Sequence, residues 1–213
     1  MSRLVTASIV GAVDWLKNCP PSWRDKARED LTNQLGRVWK EPEAGSSLNL
    51  GRTFEDQVYK WAAKDAVDAG SEHFKWFVSE CKGGEFQKTI KRIVTIGEVD
   101  YCLYGKADVY FPTIVKDVKT TKRWKGREGY LKGFQHKLYL YVLRDVDAFR
   151  YLVAEFEDKR DSPKIMAHYA VDYAVTDRSE LEQSVLATLD GFVDFLSKDP
   201  QLWELYTTKF SRY

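Results

Sequence analysis

Three cysteines in 213 residues, Cys19, Cys81 and Cys102, are odd in number and far apart, which excludes a disulfide framework and a four-thiolate metal site. They read as buried thiols. The three histidines, His73, His136 and His168, share no spacing, so structural or surface roles are expected rather than catalysis. No stretch approaches the roughly 20 apolar residues needed to span a bilayer. The apolar run from Met1 to Val10 is followed by Asp14 and Lys17 with no plausible cleavage site, so it reads as a short amphipathic helix of a cytoplasmic protein. A surplus of one charge is also missing: 33 Lys plus Arg face 32 Asp plus Glu, a net +1. A chain held on nucleic acid by bulk positive charge is thereby excluded, and any such binding must come from a local patch. There is no internal repeat and no low-complexity segment.

What the chain does have is aromatic mass. Seven Trp, twelve Tyr and eleven Phe, with 44% hydrophobic and 31% charged residues, suit a single globular domain in water, with or without a helical appendage. Residues 1–48 read as an N-terminal helical region: two helices on either side of Cys19-Pro20-Pro21-Ser22, then a loop over 41–47. Residues 49–213 read as the core. Leu50, Phe54, Val58, Trp61 and Ala62 keep helical spacing in a segment ending near Gly70, with Glu55 at the edge of the stripe. A short helix is expected over 72–80.

From about Lys91 the period becomes two. Val99, Tyr101, Leu103, Gly105, Ala107, Val109 and Phe111 alternate with polar positions, so Asp108 points away from the core face. Pro112-Thr113 reverses the chain into a strand over 114–119, where Asp117 and Lys119 share a face. Residues 130–143 read as one helix, with Gln135 and Tyr139 four apart beside its apolar stripe. Strands over 149–156 and 165–171, joined by a turn over 157–163, precede a helix over 178–196 and a short one around Trp203.

The order of charged groups has a chemical meaning. Hydrolysis of a phosphodiester at neutral pH calls for a divalent cation, and hard cations such as Mg²⁺ take oxygen ligands, so carboxylates must converge. Asp108 and Asp117 on adjacent strands, with Glu55 from a helix on the sheet, can do this, and Lys119 beside them can orient the attacking water and offset developing charge. Without the ordered set, Asp-x-Lys is a common feature of solvated strand faces.

Four motifs occur in order between Leu50 and Val171: Gly51 to Glu55, Gly105-Lys106-Ala107-Asp108, Asp117-Val118-Lys119-Thr120 and Gln135-His136-Lys137-Leu138-Tyr139. Through them the chain resembles the PD-(D/E)XK nuclease superfamily, in particular its RecB-like, lambda-exonuclease-like and Cas4-like group. His136 stands where the last motif has a hydrophobic residue. The resemblance implies an α/β, restriction-endonuclease-like fold with a central mixed sheet of four or five strands flanked by helices. It also implies Mg²⁺ or Mn²⁺ held by Glu55, Asp108, Asp117 and the Val118 carbonyl, a catalytic Lys119, and Gln135 and Tyr139 supporting the site and touching substrate. Three scattered cysteines cannot reproduce the four-cysteine iron-sulfur cluster of the Cas4 branch, so no cluster is expected. The activity implied is exonucleolytic cleavage of DNA from linear ends or single strands, in recombination, replication or repair by a phage or mobile element. A homo-oligomer or a partner protein of such a pathway fits the group. The rival readings are a structure-selective endonuclease or resolvase, and a non-catalytic nucleic-acid- or protein-binding module on the same fold.

The DNA itself is expected along residues 116–132, where seven basic residues face two acidic ones. Lys122, Arg123, Lys125 and Arg127 would meet phosphates, and Trp124 would stack on a base or wedge a duplex end.

Overall fold

The computed structural model describes residues 2–38, 46–64, 70–157 and 164–211. Residues 41–45 of the loop expected over 41–47, residues 65–69 near the end of the helix expected from Leu50, and residues 158–163 of the turn expected over 157–163 lie outside these residues. Strands β1 (Arg3–Thr6), β2 (Glu85–Ile96), β3 (Val99–Tyr110), β4 (Ile114–Thr121), β5 (Ala148–Phe156) and β6 (Ile165–Ala174) form one six-stranded mixed sheet. The helices are α1 (Ala7–Asn18), α2 (Arg24–Leu35), α3 (Ser47–Ala62), α4 (Glu72–Cys81), α5 (Glu128–Leu131), α6 (Gln135–Val142), α7 (Arg178–Ser197) and α8 (Pro200–Lys209). Among the described residues no helix is long and apolar enough to cross a membrane.

Two strands depart from the sequence expectation. Residues 3–6, expected as helix, form β1 in parallel with Tyr101–Tyr104 of β3, and Thr6 then caps α1 by accepting from Ile9 N. Four residues carry too little periodicity to show this, and the pairing is with a partner about a hundred residues away. β2 is a separate strand that pairs with β3 through a hairpin whose turn includes Gly97 at φ +60°. Its many polar residues hide the alternation that marks β3. A third difference is the helix expected over 130–143, which is broken into α5 and α6 around Gly133.

One edge of β3 is shared. β1 covers its start, β4 pairs only at Val109 with Lys116 and Tyr110 with Val115, and β4 then runs on parallel to β5. Between these two pairings, at Gly105 to Asp108, β3 and β4 part. Asp108 fills the gap by accepting a hydrogen bond from Val118 N at 3.0 Å, where a strand partner would otherwise lie.

The sheet separates two cores. On one face α1, α2, α6, α7 and α8 bury Val5, Leu31, Leu103, Leu138, Phe149, Leu189 and Tyr206. On the other, α3 and α4 lay Phe54, Val58, Phe77 and Cys81 against Val109, Val118, Leu152 and Phe156. Phe54 meets Phe77 at 5.0 Å and Phe156 at 5.3 Å, both edge to face, so truncating it to alanine would cost about 3–5 kcal/mol. This packing fixes α3, capped by Ser46, and with it Glu55 one residue after Phe54. The three cysteines are free and buried, as expected.

Candidate active site

β4 positions the centre. Asp117 and Lys119 alternate onto the face turned toward α6, while Val118 enters the opposite core. The Asp117 side chain is buried and the Lys119 side chain 37% exposed, with Nζ 2.6 Å from Oδ2. This approach is an ion pair rather than a directed hydrogen bond, because Oδ2 is buried without a hydrogen-bond donor. The other oxygen, Oδ1, is held by Gln135 Nε2 at 2.5 Å. The break before α6 is what makes this possible: it puts Gln135 in the first turn of a helix aimed at β4.

Tyr139, one turn on, donates to the carbonyl of Lys106 at 2.9 Å and lays its ring on Gly105. A Cβ at Gly105 would stand 2.5 Å from Tyr139 Cε1, so the glycine is what lets ring and strand approach. Gln135 and Tyr139 thus hold, respectively, Asp117 and the strand carrying Asp108. His136 between them is fully buried, with Nδ1 3.0 Å from Tyr151 Oη and Nε2 unpartnered. Burial first, and the nearby Lys137 second, push it down to about 4, so the ring is neutral.

The charges form a strained set. Burial foremost, then Asp117 and Glu55, hold Asp108 well above the ordinary carboxylate range, against the pull of Lys119 and the Val118 hydrogen bond. Glu55 is also raised, by burial first, with Asp117 and Asp56 adding and the Tyr59 hydrogen bond and Lys119 opposing. Burial works against the Lys119 ammonium, yet Asp117 and Asp108 outweigh it, so the lysine titrates above its usual value and stays charged. Such a crowd of carboxylates relaxes when a cation arrives.

Among the described residues, no three His, Cys, Asp or Glu side chains stand within reach of one ion as they are. The reason lies in their partners: Asp117 is engaged by Lys119 and Gln135, while Glu55 Oε1 accepts from Tyr59 Oη at 2.7 Å and Gln87 Nε2 at 3.0 Å. Tyr59 and Gln87 were not foreseen from the sequence. The all-oxygen donor set nonetheless suits a hard cation, which would be met by Asp117 Oδ2, faced now by the Lys119 ammonium, and by the buried Asp108 carboxyl.

A cleft of about 570 Å³ opens beside Lys119 and Gln135, between Thr6, Ser8 and Gly11 on one side and Tyr130 and Phe134 on the other. The basic loop leaves β4 near it. Arg123, Lys125 and Arg127 are exposed, and Trp124 is half-buried. One face of the Trp124 indole is stacked on Tyr169 at 4.2 Å, and its backbone N–H donates to Glu155 Oε1, which pins the loop to β5 and β6. His73 and His168, remote in sequence, meet with Nδ1 atoms 2.8 Å apart between α4 and β6.

This is the α/β, restriction-endonuclease-like class of fold, with a central mixed sheet between helices. The crystal structure of SSO0001 is similar to the chain with a TM-score of 0.53 at 11% identity, over 100% of this chain and 89% of that one. LHK-Exo in complex with dAMP is similar with a TM-score of 0.50 at 16% identity, over 94% of each chain. A further structure of that protein, described as an alkaline exonuclease from Laribacter hongkongensis, has 15% identity, 94% coverage of both chains and a TM-score of 0.46, which adds nothing to the fold. No protein-family model and no curated protein matches the sequence.

Proposed function

We propose that this chain is a Mg²⁺- or Mn²⁺-dependent deoxyribonuclease of the PD-(D/E)XK type, degrading DNA from its ends in phage or mobile-element recombination, replication or repair. The observation that carries the reading is the clustering of Asp108, Asp117 and Lys119 where β3 and β4 part, with Asp108 bonded to the backbone N–H between the other two. The fold shared with LHK-Exo, an exonuclease by name, supports it.

Asp108, Asp117, the Val118 carbonyl and, after release from its present partners, Glu55 would hold the ion. A cation there would offset charge on the scissile phosphate and acidify a water. Lys119, which stays protonated, would supply positive charge as the oxygens on the five-coordinate phosphorus gain negative charge. Gln135 keeps Asp117 Oδ1 fixed, so that Oδ2, now paired with Lys119, is the oxygen that would turn to the ion. Lys122, Arg123, Lys125 and Arg127 would carry the phosphate backbone toward the cleft, on a loop anchored by Trp124.

Incubating the purified chain with end-labelled linear duplex, single strands and closed circles, with Mg²⁺, Mn²⁺ or EDTA, tests this. Loss of linear DNA that stops in EDTA, with circles intact, is the expected result. Cleavage of circles would favour an endonuclease, degradation in EDTA would refute the metal mechanism, and tight binding without any cleavage would leave a binding module.

A further inference from the structure

Gln87 belongs to none of the sequence motifs, yet its backbone is held where few side chains go. In the β2–β3 ladder Phe86 stands opposite Val109 and Lys88 opposite Ala107, so Gln87 lies across from Asp108 in an unbroken register, with the pairing interrupted at these two residues. Its φ of +55° lies in the left-handed region. A left-handed residue inside a strand re-aims its side chain, and such backbone features concentrate beside functional sites.

Here the left-handed backbone aims the amide at Glu55. Nε2 donates to Glu55 Oε1 at 3.0 Å and to Tyr59 Oη at 3.4 Å, while Tyr59 donates to the same Oε1 at 2.7 Å. The Tyr59 ring is itself held against Phe86, the residue before Gln87, with centroids 5.0 Å apart. Oε1 therefore receives two hydrogen bonds, and Oε2 receives none from the described residues. An amide and a phenol hydroxyl are both donors to a carboxylate, so together they favour one rotamer of Glu55 and one free oxygen.

We propose that Gln87 is a positioning residue: placed by its left-handed backbone in β2, and acting with Tyr59, it ties down Glu55 Oε1 and leaves Oε2 as the oxygen offered to a divalent cation. The proposal rests on the nuclease reading of Asp108 and Asp117. A left-handed Gln87 with a purely structural role would leave ion affinity alone.

Calorimetric titration of the full chain with Mn²⁺, without DNA, separates the two. Gln87→Gly and Tyr59→Phe should each weaken Mn²⁺ binding by about tenfold or more, the usual effect of losing a group that orients a ligand. The metal-free melting temperature of Gln87→Gly should not fall, because glycine adopts φ +55° without strain. Mn²⁺ affinities within about twofold of the parent in both variants, while Asp117→Asn has lost the ion, would overturn the positioning role and leave the nuclease reading standing. Unchanged affinity in Asp117→Asn, or no Mn²⁺ binding by the parent, would overturn both.

Discussion

The buried Asp108 carboxyl costs the metal-free fold stability. A carboxyl whose folded pKa lies above its unfolded value of about 3.9 binds its proton more tightly in the folded state, so the fold is penalised as pH rises past that value and up to the raised one. Asp108→Asn, which keeps an acceptor for Val118 N, should therefore stabilise the metal-free protein clearly at pH 8 and much less near pH 4. Melting curves across that range check it, and a variant less stable than the parent at pH 8 would contradict the electrostatic account. Lys119 is the other decisive side chain. Lys119→Ala should lower the turnover of end-labelled DNA by about 10²–10³-fold, as removal of one charge-stabilising donor does elsewhere, while circular dichroism stays that of the parent. At this scale the sequence shows Asp108, Asp117, Lys119 and Gln135 well, because an ordered set of motifs constrains them together. It does not show Tyr59 and Gln87: their contact with Glu55 arises from a single left-handed residue in β2, which leaves no mark in composition or period.

The elements explain why those side chains meet. The departure of β4 from β3 opens the gap that Asp108 fills, and the interruption around Gly133 starts α6 where Gln135 reaches Asp117. Close approach of α6 to β3 depends on Gly105, so Gly105→Ala should drive a Cβ into Tyr139 and cost about 1–3 kcal/mol. Thermal melting reads that loss, and pairing the change with Tyr139→Leu should recover part of it. Long periodic segments such as α3, β3 and α7 were legible because one face of each is continuously apolar. β1, at four residues, and β2, rich in charge, were not, since long-range pairing rather than local pattern makes them strands. The helix expected over 130–143 was read through its break because both halves are apolar and glycine is tolerated in such a pattern.

Across the whole molecule the net charge of +1 is a sum of unlike neighbourhoods. Carboxylates crowd the end of the sheet at Glu55, Asp108 and Asp117, and the exposed Arg123, Lys125 and Arg127 stand on the loop that leaves it. DNA binding should therefore be local, and Lys125→Ala with Arg127→Ala should flatten the plot of log affinity against log salt by about 1–2, near one for each phosphate that is no longer neutralised. Fluorescence anisotropy at several salt concentrations measures this, and an unchanged slope would take the loop out of the interface. The central claim is that Asp108, Asp117 and Lys119 form one metal-dependent hydrolytic centre. Its most direct measurement is release of nucleotides from end-labelled linear DNA in Mg²⁺ by the parent and by Asp117→Asn: the parent should degrade the strand and the variant should be inactive while remaining folded, whereas equal degradation by both would contradict the assignment of the centre.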